Sequence, residues 1–286
     1  MTTLAEILEL EQGSFEWHQL RKIKITATDA PVIMRASPWK TPLQLYHEKT
    51  SNNPPATPNE RMKRGTDLEP IARELFTLKT GIKVCPKVIV KDWAMASLDG
   101  MSESGNCILE IKCPGSNDHN VAVLGTVPGH YYAQLQHQMY VADVEEMYYF
   151  SFDGIDGVIV EVQRDSEFIE RMLIEEKKFY DCLINKTPPD ADENDYEERT
   201  EPLWERCALR WKMIQQEKRY LEIEEEELRD QLVFLSGGSS SRGAGLSLCQ
   251  VSRKGLLDYS RIPELKNIDL EQYRKPSTTS WRITCH

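Results

Sequence analysis

The sequence predicts an α/β protein in which a mixed β-sheet is flanked by helices. A long helix is indicated first, because apolar residues recur at helical spacing over residues 59–80 and the pattern ends at Thr80-Gly81. Short runs with the composition of strands follow, and two further helical patterns enclose a hairpin. The predicted strands are residues 83–90, 95–98, 107–111, 147–152 and 158–163, and the two later helices are residues 130–141 and 165–185.

Shorter elements are predicted before this core. Residues 4–10 indicate a short helix, and Trp17 begins a second one. A helix start is predicted near residues 25–30, with Thr26 or Thr28 as its N-cap. Another helix over residues 43–49 follows Thr41-Pro42, and a loop rich in Asn and Pro follows at residues 51–58.

The C-terminal part is predicted to form a helical and small β extension. Its long helix carries an apolar residue at every seventh position from Cys207 to Leu235. A second set of positions lies between these, and there Lys218 and Glu225 interrupt the apolar residues Trp211 and Leu232. The sequence therefore leaves open a coiled coil and a helix packed on the core or on another subunit. The predicted segments are a core at residues 1–186, an acidic linker at 187–201, the helix at 202–235, a flexible linker at 236–245 and a β-hairpin extension at 246–286.

Charge is unevenly distributed along the 286 residues, whose net charge is −11. The first 130 residues hold 15 Lys and Arg against 15 Asp and Glu, whereas the remainder hold 20 against 31. A neutral half with basic clusters is compatible with a local phosphate-binding groove.

Composition also predicts a cytoplasmic protein that does not cross a membrane. No apolar run approaches the roughly 20 residues of a membrane helix, and the N-terminus lacks an export pattern. The seven cysteines form no Cys-x-x-Cys pair, so we expect free, buried thiols in a reducing compartment.

Three charged residues form the candidate site. Asp99 comes at the end of a predicted strand, and Glu110 and Lys112 lie two apart on the next, so that both point to one face. Two carboxylates suit Mg²⁺, which also binds substrate phosphate, and a neighbouring lysine can steer or deprotonate an attacking water. The alternative is a strand with one ordinary ion pair, because Glu-x-Lys is common. The apolar residues around the pair predict a buried strand, in which Glu110 and Lys112 need either each other or a metal.

The sequence resembles the lambda-exonuclease-like phage alkaline exonucleases and YqaJ-like viral recombinases of the PD-(D/E)xK superfamily, whose core is restriction-endonuclease-like. The resemblance covers residues 14–185 and rests on several spaced motifs. These are Trp17-His18-Gln19-Leu20-Arg21, Ile25-Thr26-Ala27-Thr28-Asp29, Arg64-Gly65-Thr66-Asp67-Leu68-Glu69, Ser97-Leu98-Asp99-Gly100, Leu109-Glu110-Ile111-Lys112-Cys113-Pro114 and Tyr132-Ala133-Gln134-Leu135-Gln136.

The resemblance implies a role for each matching residue. Asp99, Glu110 and the Ile111 carbonyl would bind Mg²⁺, with Mn²⁺ as a substitute, and Lys112 would position and activate the water. Glu69 would add a carboxylate, and Gln134 would orient Lys112 or the phosphate. Arg21, with Thr28 where the family often has serine, would hold a terminal 5′-phosphate, and Leu98 replaces the proline of the motif.

Each of these roles has a structural alternative. Arg21 would pair with Glu16 on a helix face, Glu69 would pair with Arg73, and Gln134 would be a surface residue. His119, His130 and His137 are left out of the predicted site.

The function implied is hydrolysis of linear duplex DNA from its 5′ end, which leaves 3′ single strands for phage-type recombination. The implied partners are DNA ends and a single-strand annealing protein, and the implied assembly is a ring trimer in the cytoplasm of a bacterial or phage-infected cell. Two other functions stay open from the residues: an endonuclease of the same fold, and a non-catalytic protein that binds DNA ends.

Overall fold

The computed structural model describes residues 4–51 and 60–252, and beyond them only positions 255, 262, 265, 268, 273, 275 and 283. The chain divides into two compact units, Met1–Tyr196 and Glu197–His286. The first unit extends ten residues past the predicted end of the core, because Arg35 pairs with Asp192 and Thr41 donates to Asp195.

The first unit is built on a seven-stranded mixed sheet, and the predicted fold class is confirmed. Its strands are β1 (Glu6–Leu8), β2 (Ile25–Thr26), β3 (Val84–Lys91), β4 (Ala94–Ser102), β5 (Ile108–Lys112), β6 (Glu146–Phe152) and β7 (Gly157–Gln163). The strand order is β1-β3-β4-β5-β6-β7, with β2 parallel to the start of β4. The β5–β6 pair is parallel, and the other neighbours along this order are antiparallel.

Helices cover the sheet. They are α1 (Phe15–Ile23), α2 (Ala30–Ile33), α3 (Pro42–Thr50), α4 (Glu60–Thr80), α5 (Ser116–Val123), α6 (Gly129–Ala142) and α7 (Ser166–Ile184). Leu135 and Met139 of α6 pack with Leu98, Ile108 and Tyr149 of the sheet. On the other face, Ala72 and Phe76 of α4 pack with Leu109, Ile111 and Phe150. Alternate residues of β5 therefore face α6 and α4, which places Glu110 and Lys112 on the same face of the sheet.

Several predicted elements differ from the structure. Residues 4–10 contain an edge strand rather than a helix, because Glu6–Leu8 pairs with β3 and so short a segment does not sustain a helix alone. Thr26 lies in β2, and Asp29, not Thr26 or Thr28, is the N-cap of α2. Helix α5 was not predicted, and most of the predicted loop at 51–58 falls outside the described residues.

The cysteines are free but not buried. Cys85, Cys207 and Cys249 are exposed, and Cys107, Cys113 and Cys182 are half-buried. The expectation of buried thiols is therefore wrong for these six, and Cys285 lies outside the described residues.

The second unit consists of a long helix and a small hairpin. Helix α8 spans Pro202–Leu235, and β8 (Ser241–Gly243) pairs antiparallel with β9 (Leu246–Leu248). Ala244 and Gly245 both have positive φ in the two-residue turn, as a tight hairpin requires. Residues 241–243 were predicted as flexible linker and are a strand instead, and most of the predicted β-hairpin extension at 246–286 lies outside the described residues. None of the helices in the described part of the chain is both long and apolar enough to cross a membrane.

Candidate active site

The site lies where the β4–β5 ladder ends. The two strands pair only at Gly100↔Leu109 and Met101↔Ile108, so the next residues separate. In place of a further ladder bond, the backbone N–H of Ile111 donates to Asp99 Oδ2 at 2.8 Å. The Asp99 carboxylate is thereby held across the gap between the strands. The sequence predicted Asp99 at the end of a strand, whereas β4 continues to Ser102 and it is the pairing that stops here.

Packing and a second hydrogen bond fix the backbone at this point. A Cβ on Gly100 would lie 2.7 Å from Cγ2 of Val84, so this position has no room for a side chain. Arg73 of α4 donates from Nε to the Asp99 carbonyl at 2.6 Å. The chain that carries Asp99 is therefore held between β3, β5 and α4.

Glu110 is a buried carboxylate with three donors. It faces α6, and its side chain is only 3% exposed. Oε1 accepts from Gln134 Nε2 and pairs with Lys112 Nζ, both at 2.5 Å, while Oε2 accepts from Gln138 Nε2 at 2.5 Å. Charge pairing and full hydrogen bonding are what allow a carboxylate to be buried.

Gln138 was missed in the sequence. It is fully buried on α6, and its Nε2 also approaches the Ser97 carbonyl at 3.5 Å. The signal that identifies it is its spacing of four from Gln134, which places both amides on one face of a helix. The alternative of Gln134 as a surface residue is wrong, because Gln134 is buried.

Glu69 adds a third carboxylate from α4. It forms an ion pair with Arg73, as the structural alternative predicted, and its side chain is 32% exposed. Burial and the charges of Glu110 and Glu69 raise the pKa of Asp99 well above its usual value. Arg73 bonds both to Glu69 and to the Asp99 carbonyl, and Asp99 Oδ2 accepts from the residue that follows Glu110, so the three carboxylates are neighbours. A cation would reduce the repulsion between them.

Lys112 opposes this negative charge. Burial disfavours its ammonium form, but the carboxylates of Glu110 and Asp99 more than offset this and raise the pKa of Lys112 above its usual value. Its Nζ also lies 5.3 Å from the centre of the Tyr131 ring. In this arrangement the two carboxylates therefore favour the charged form of Lys112.

A second group of residues lies at the end of α1. Arg21 Nη2 donates to Thr28 Oγ1 at 2.9 Å, and its guanidinium stacks 4.4 Å from the ring centre of Trp17. Beneath it, Lys49 pairs with the buried Asp29 at 2.7 Å and donates to the Arg21 carbonyl at 2.7 Å. Arg21 thus bonds to Thr28, its predicted partner, and not to Glu16.

One hydrogen bond joins the two groups. Trp17 Nε1 donates to Ser97 Oγ at 2.9 Å, and Ser97 precedes Asp99 by two residues on β4. The ring that stacks on Arg21 is therefore attached to the strand that carries Asp99. We call Arg21, Thr28, Trp17 and Lys49 the end pocket.

The structure brings together Asp99, Glu110, Lys112, Glu69 and Gln134, and it brings Arg21 to Thr28. In residues 4–51 and 60–252, no group of three or more His, Cys, Asp or Glu side chains has the arrangement of a metal site. The Ile111 N–H is used by Asp99, and the role of the Ile111 carbonyl as a ligand stays a prediction.

Residues 16–145 match the model of the YqaJ-like viral recombinase domain family, which confirms the resemblance predicted from the sequence. The uncharacterized protein YqaJ of Bacillus subtilis (strain 168) is 29% identical over 200 residues, which are 66% of this chain and 63% of that protein. The uncharacterized protein R354 of Acanthamoeba polyphaga mimivirus is 27% identical over 163 residues, which are 51% of this chain and 30% of that protein. The chain thus matches less than two thirds of the length of these curated relatives.

The fold is shared with a solved alkaline exonuclease. Two crystal structures of LHK-Exo, from Laribacter hongkongensis, match with TM-scores of 0.53 and 0.52 at 24% identity. The match covers 61% of this chain and 94% of LHK-Exo, and one of the two structures is a complex with dAMP.

Proposed function

We propose that this chain, whose residues 16–145 match the YqaJ-like viral recombinase domain, is a Mg²⁺-dependent exonuclease of linear duplex DNA. It would hydrolyse phosphodiester bonds from the 5′ end and leave 3′ single strands for recombination. The observation that carries this proposal is the group of mutually repelling carboxylates at the divided end of β4 and β5, with the Lys112 ammonium against Glu110.

The side chains present suit a divalent cation. Asp99, Glu110 and Glu69 offer hard oxygen atoms, and burial together with the charges of Glu110 and Glu69 raises the pKa of Asp99. Asp99 and Glu110, with the Ile111 carbonyl, would hold the ion, and Mn²⁺ would replace Mg²⁺ because it accepts the same oxygen ligands. When bound, the ion would supply an acidified water and neutralise charge on the phosphate.

Lys112 would act by orientation and charge. Glu110 and Asp99 stabilise the ammonium form of Lys112, whose charge would steer the attacking water. Its N–H groups would bind the attacking water or an oxygen of the phosphate, where negative charge grows in the transition state. Gln134 and Gln138 would keep Glu110 in position.

The end pocket would select a DNA terminus. A guanidinium forms paired hydrogen bonds with phosphate, and Arg21 is pre-oriented by its stacking on Trp17. Because Trp17 is hydrogen-bonded to β4, a phosphate held by Arg21 would lie at a fixed distance from Asp99. A fixed distance from a terminus to the reactive centre is what makes an enzyme start at ends.

Arg21→Ala tests this pocket. The wild-type protein is expected to degrade linear duplexes with a 5′-phosphate faster than those with a 5′-hydroxyl. Arg21→Ala should lower the rate on 5′-phosphate ends by about 10–100-fold, because it deletes one charged hydrogen-bonding group, and it should leave the rate on 5′-hydroxyl ends unchanged. Separate labels on each terminus report the direction. The control is Arg171→Ala, an exposed arginine on α7.

Two results would overturn the proposal. Cleavage of covalently closed circular DNA at the rate of linear DNA would make the protein an endonuclease. Binding of linear ends without any Mg²⁺-dependent product would make it a non-catalytic DNA-end protein.

Gln138→Leu tests the second amide. The variant leaves Glu110 Oε2 without its donor, so we expect the rate of DNA hydrolysis to fall about 10–100-fold, in line with about 1.5–3 kcal/mol for a hydrogen bond to a charged group. Gln136→Leu is the matched control, because Gln136 is equally buried on α6 but donates to the Gln163 carbonyl at 2.9 Å. Equal rates for folded Gln138→Leu and Gln136→Leu would remove Gln138 from the site.

We also propose an oligomeric state and a partner for this protein. The family resemblance supports a ring trimer that acts in the cytoplasm of a bacterial or phage-infected cell together with a single-strand annealing protein.

A further inference from the structure

Helix α8 has an unusual amount of exposed apolar surface. It spans 34 residues, or about 51 Å, and none of them is buried within the described structure. Its exposed apolar residues include Trp211, Ile214, Leu221, Leu228 and Leu232, which are between 40% and 64% exposed. A helix of this length with its apolar side chains in water requires a partner.

These apolar residues form one continuous stripe at alternating spacings of four and three. We call this stripe the seam, and it consists of Cys207, Trp211, Ile214, Lys218, Leu221, Glu225, Leu228, Leu232 and Leu235. Seven of the nine are apolar, and the two exceptions have opposite charges. Spacing of this kind is typical of a helix that packs lengthwise against another helix.

The charges of α8 are separated into two halves. Residues 202–219 hold five Lys and Arg against two Asp and Glu, whereas residues 220–235 hold one against six. This order is unfavourable for an isolated helix, whose dipole favours acidic residues at the N-terminus and basic residues at the C-terminus. The distribution is therefore not explained by the stability of α8 itself.

We propose that α8 binds α8 of a second copy of this chain in an antiparallel pair along the seam. That arrangement places the basic half of each helix against the acidic half of the other, and it brings the region of Lys218 to the region of Glu225. A parallel pair would instead place Lys218 beside Lys218 and Glu225 beside Glu225 in the apolar interface. Pairs of like charge there are strongly unfavourable, so the sequence of α8 matches itself only in the antiparallel direction.

The pairing is independent of the proposed nuclease activity, because it uses only residues of the second unit. It is isologous, so two copies close each α8 interface. If the first unit also self-associates, pairing of α8 is expected to double the number of copies in the particle.

Leu221→Lys tests the seam in the full-length protein. At about 10 µM and low salt, sedimentation equilibrium is expected to give a wild-type particle of twice the mass of Leu221→Lys, whatever the mass of the variant. Ile223→Lys is the matched control: Ile223 is equally part of α8 and 50% exposed, but it lies outside the seam, and its particle should keep the wild-type mass. A wild-type mass equal to that of Leu221→Lys, either as a monomer or as a trimer, would overturn the proposal.

A charge reversal tests the direction. Lys218→Glu should weaken self-association about 10-fold or more, because it opposes the acidic half of the second copy. The double variant Lys218→Glu with Glu225→Lys should recover most of the affinity, since an antiparallel pair again joins opposite charges. Unchanged association of Lys218→Glu would contradict the antiparallel arrangement.

Discussion

Replacement of Lys112 by alanine is expected to lower the rate of Mg²⁺-dependent hydrolysis of linear duplex DNA by about 10²–10⁴-fold, the range for a positioned catalytic group. The reason is that the Lys112 ammonium pairs with Glu110, beside the proposed site of phosphate attack. Release of labelled nucleotides from a 5′-phosphorylated duplex measures the effect.

A second measurement separates chemistry from folding. The Lys112 ammonium competes with a cation for Glu110 Oε1, so Lys112→Ala should bind Mn²⁺ at least as tightly as the wild type in calorimetric titration. Lys178→Ala, which removes an exposed lysine paired with Glu175 on α7, should change neither rate nor binding. Wild-type activity in Lys112→Ala would refute the assignment of Lys112.

Replacement of His137 by alanine is expected to cost about 3–5 kcal/mol of unfolding free energy, the usual result of breaking a buried pair. His137 and Glu176 are both fully buried on α6 and α7, and His137 Nδ1 lies 2.8 Å from Glu176 Oε1. The other ring nitrogen, Nε2, lies 3.1 Å from the Met95 carbonyl of β4. Alanine would leave the Glu176 carboxylate buried without its partner. Denaturant unfolding measures the loss.

The same pair predicts a dependence of stability on pH. Burial disfavours the charged imidazole, but the carboxylate of Glu176 outweighs this and raises the pKa of His137 above its usual value. A raised folded-state pKa means that the stabilisation is complete below about pH 6.5 and is lost as the pH rises through the folded-state pKa. The double variant His137→Leu with Glu176→Leu should lack this part of the pH profile and should be more stable than His137→Ala. A profile that is unchanged in the double variant would show that the pair does not carry it.

Much of the core is predictable because its signals are local. Residues 108–111 are apolar except for Glu110, and they form a buried strand as predicted. Thr41 caps α3 through a hydrogen bond with Gln44, and Asp165 caps α7 in the same way with Phe168. The signals failed for β1, because a three-residue edge strand exists only through its pairing with β3.

The candidate site also contains residues with a local sequence signal and contacts that depend on distant segments. Spacing along the strands predicted Asp99, Glu110 and Lys112 as one group, and the family resemblance predicted Arg21 and Thr28 as another. Neither signal identified the hydrogen bond of Trp17 to Ser97, which spans 80 residues, or the amide of Gln138 on Glu110. Both contacts depend on how elements distant in the chain pack together.

The sequence alone determined which chemical groups the protein has and the order of its main helices and strands, because periodicity and capping are properties of neighbouring residues. Only the tertiary structure decided that β4 and β5 separate at Asp99, that Gln134 and Gln138 donate to Glu110 and that His137 is buried with Glu176. Those outcomes depend on burial and on charges from other elements, and neither is encoded within any one segment.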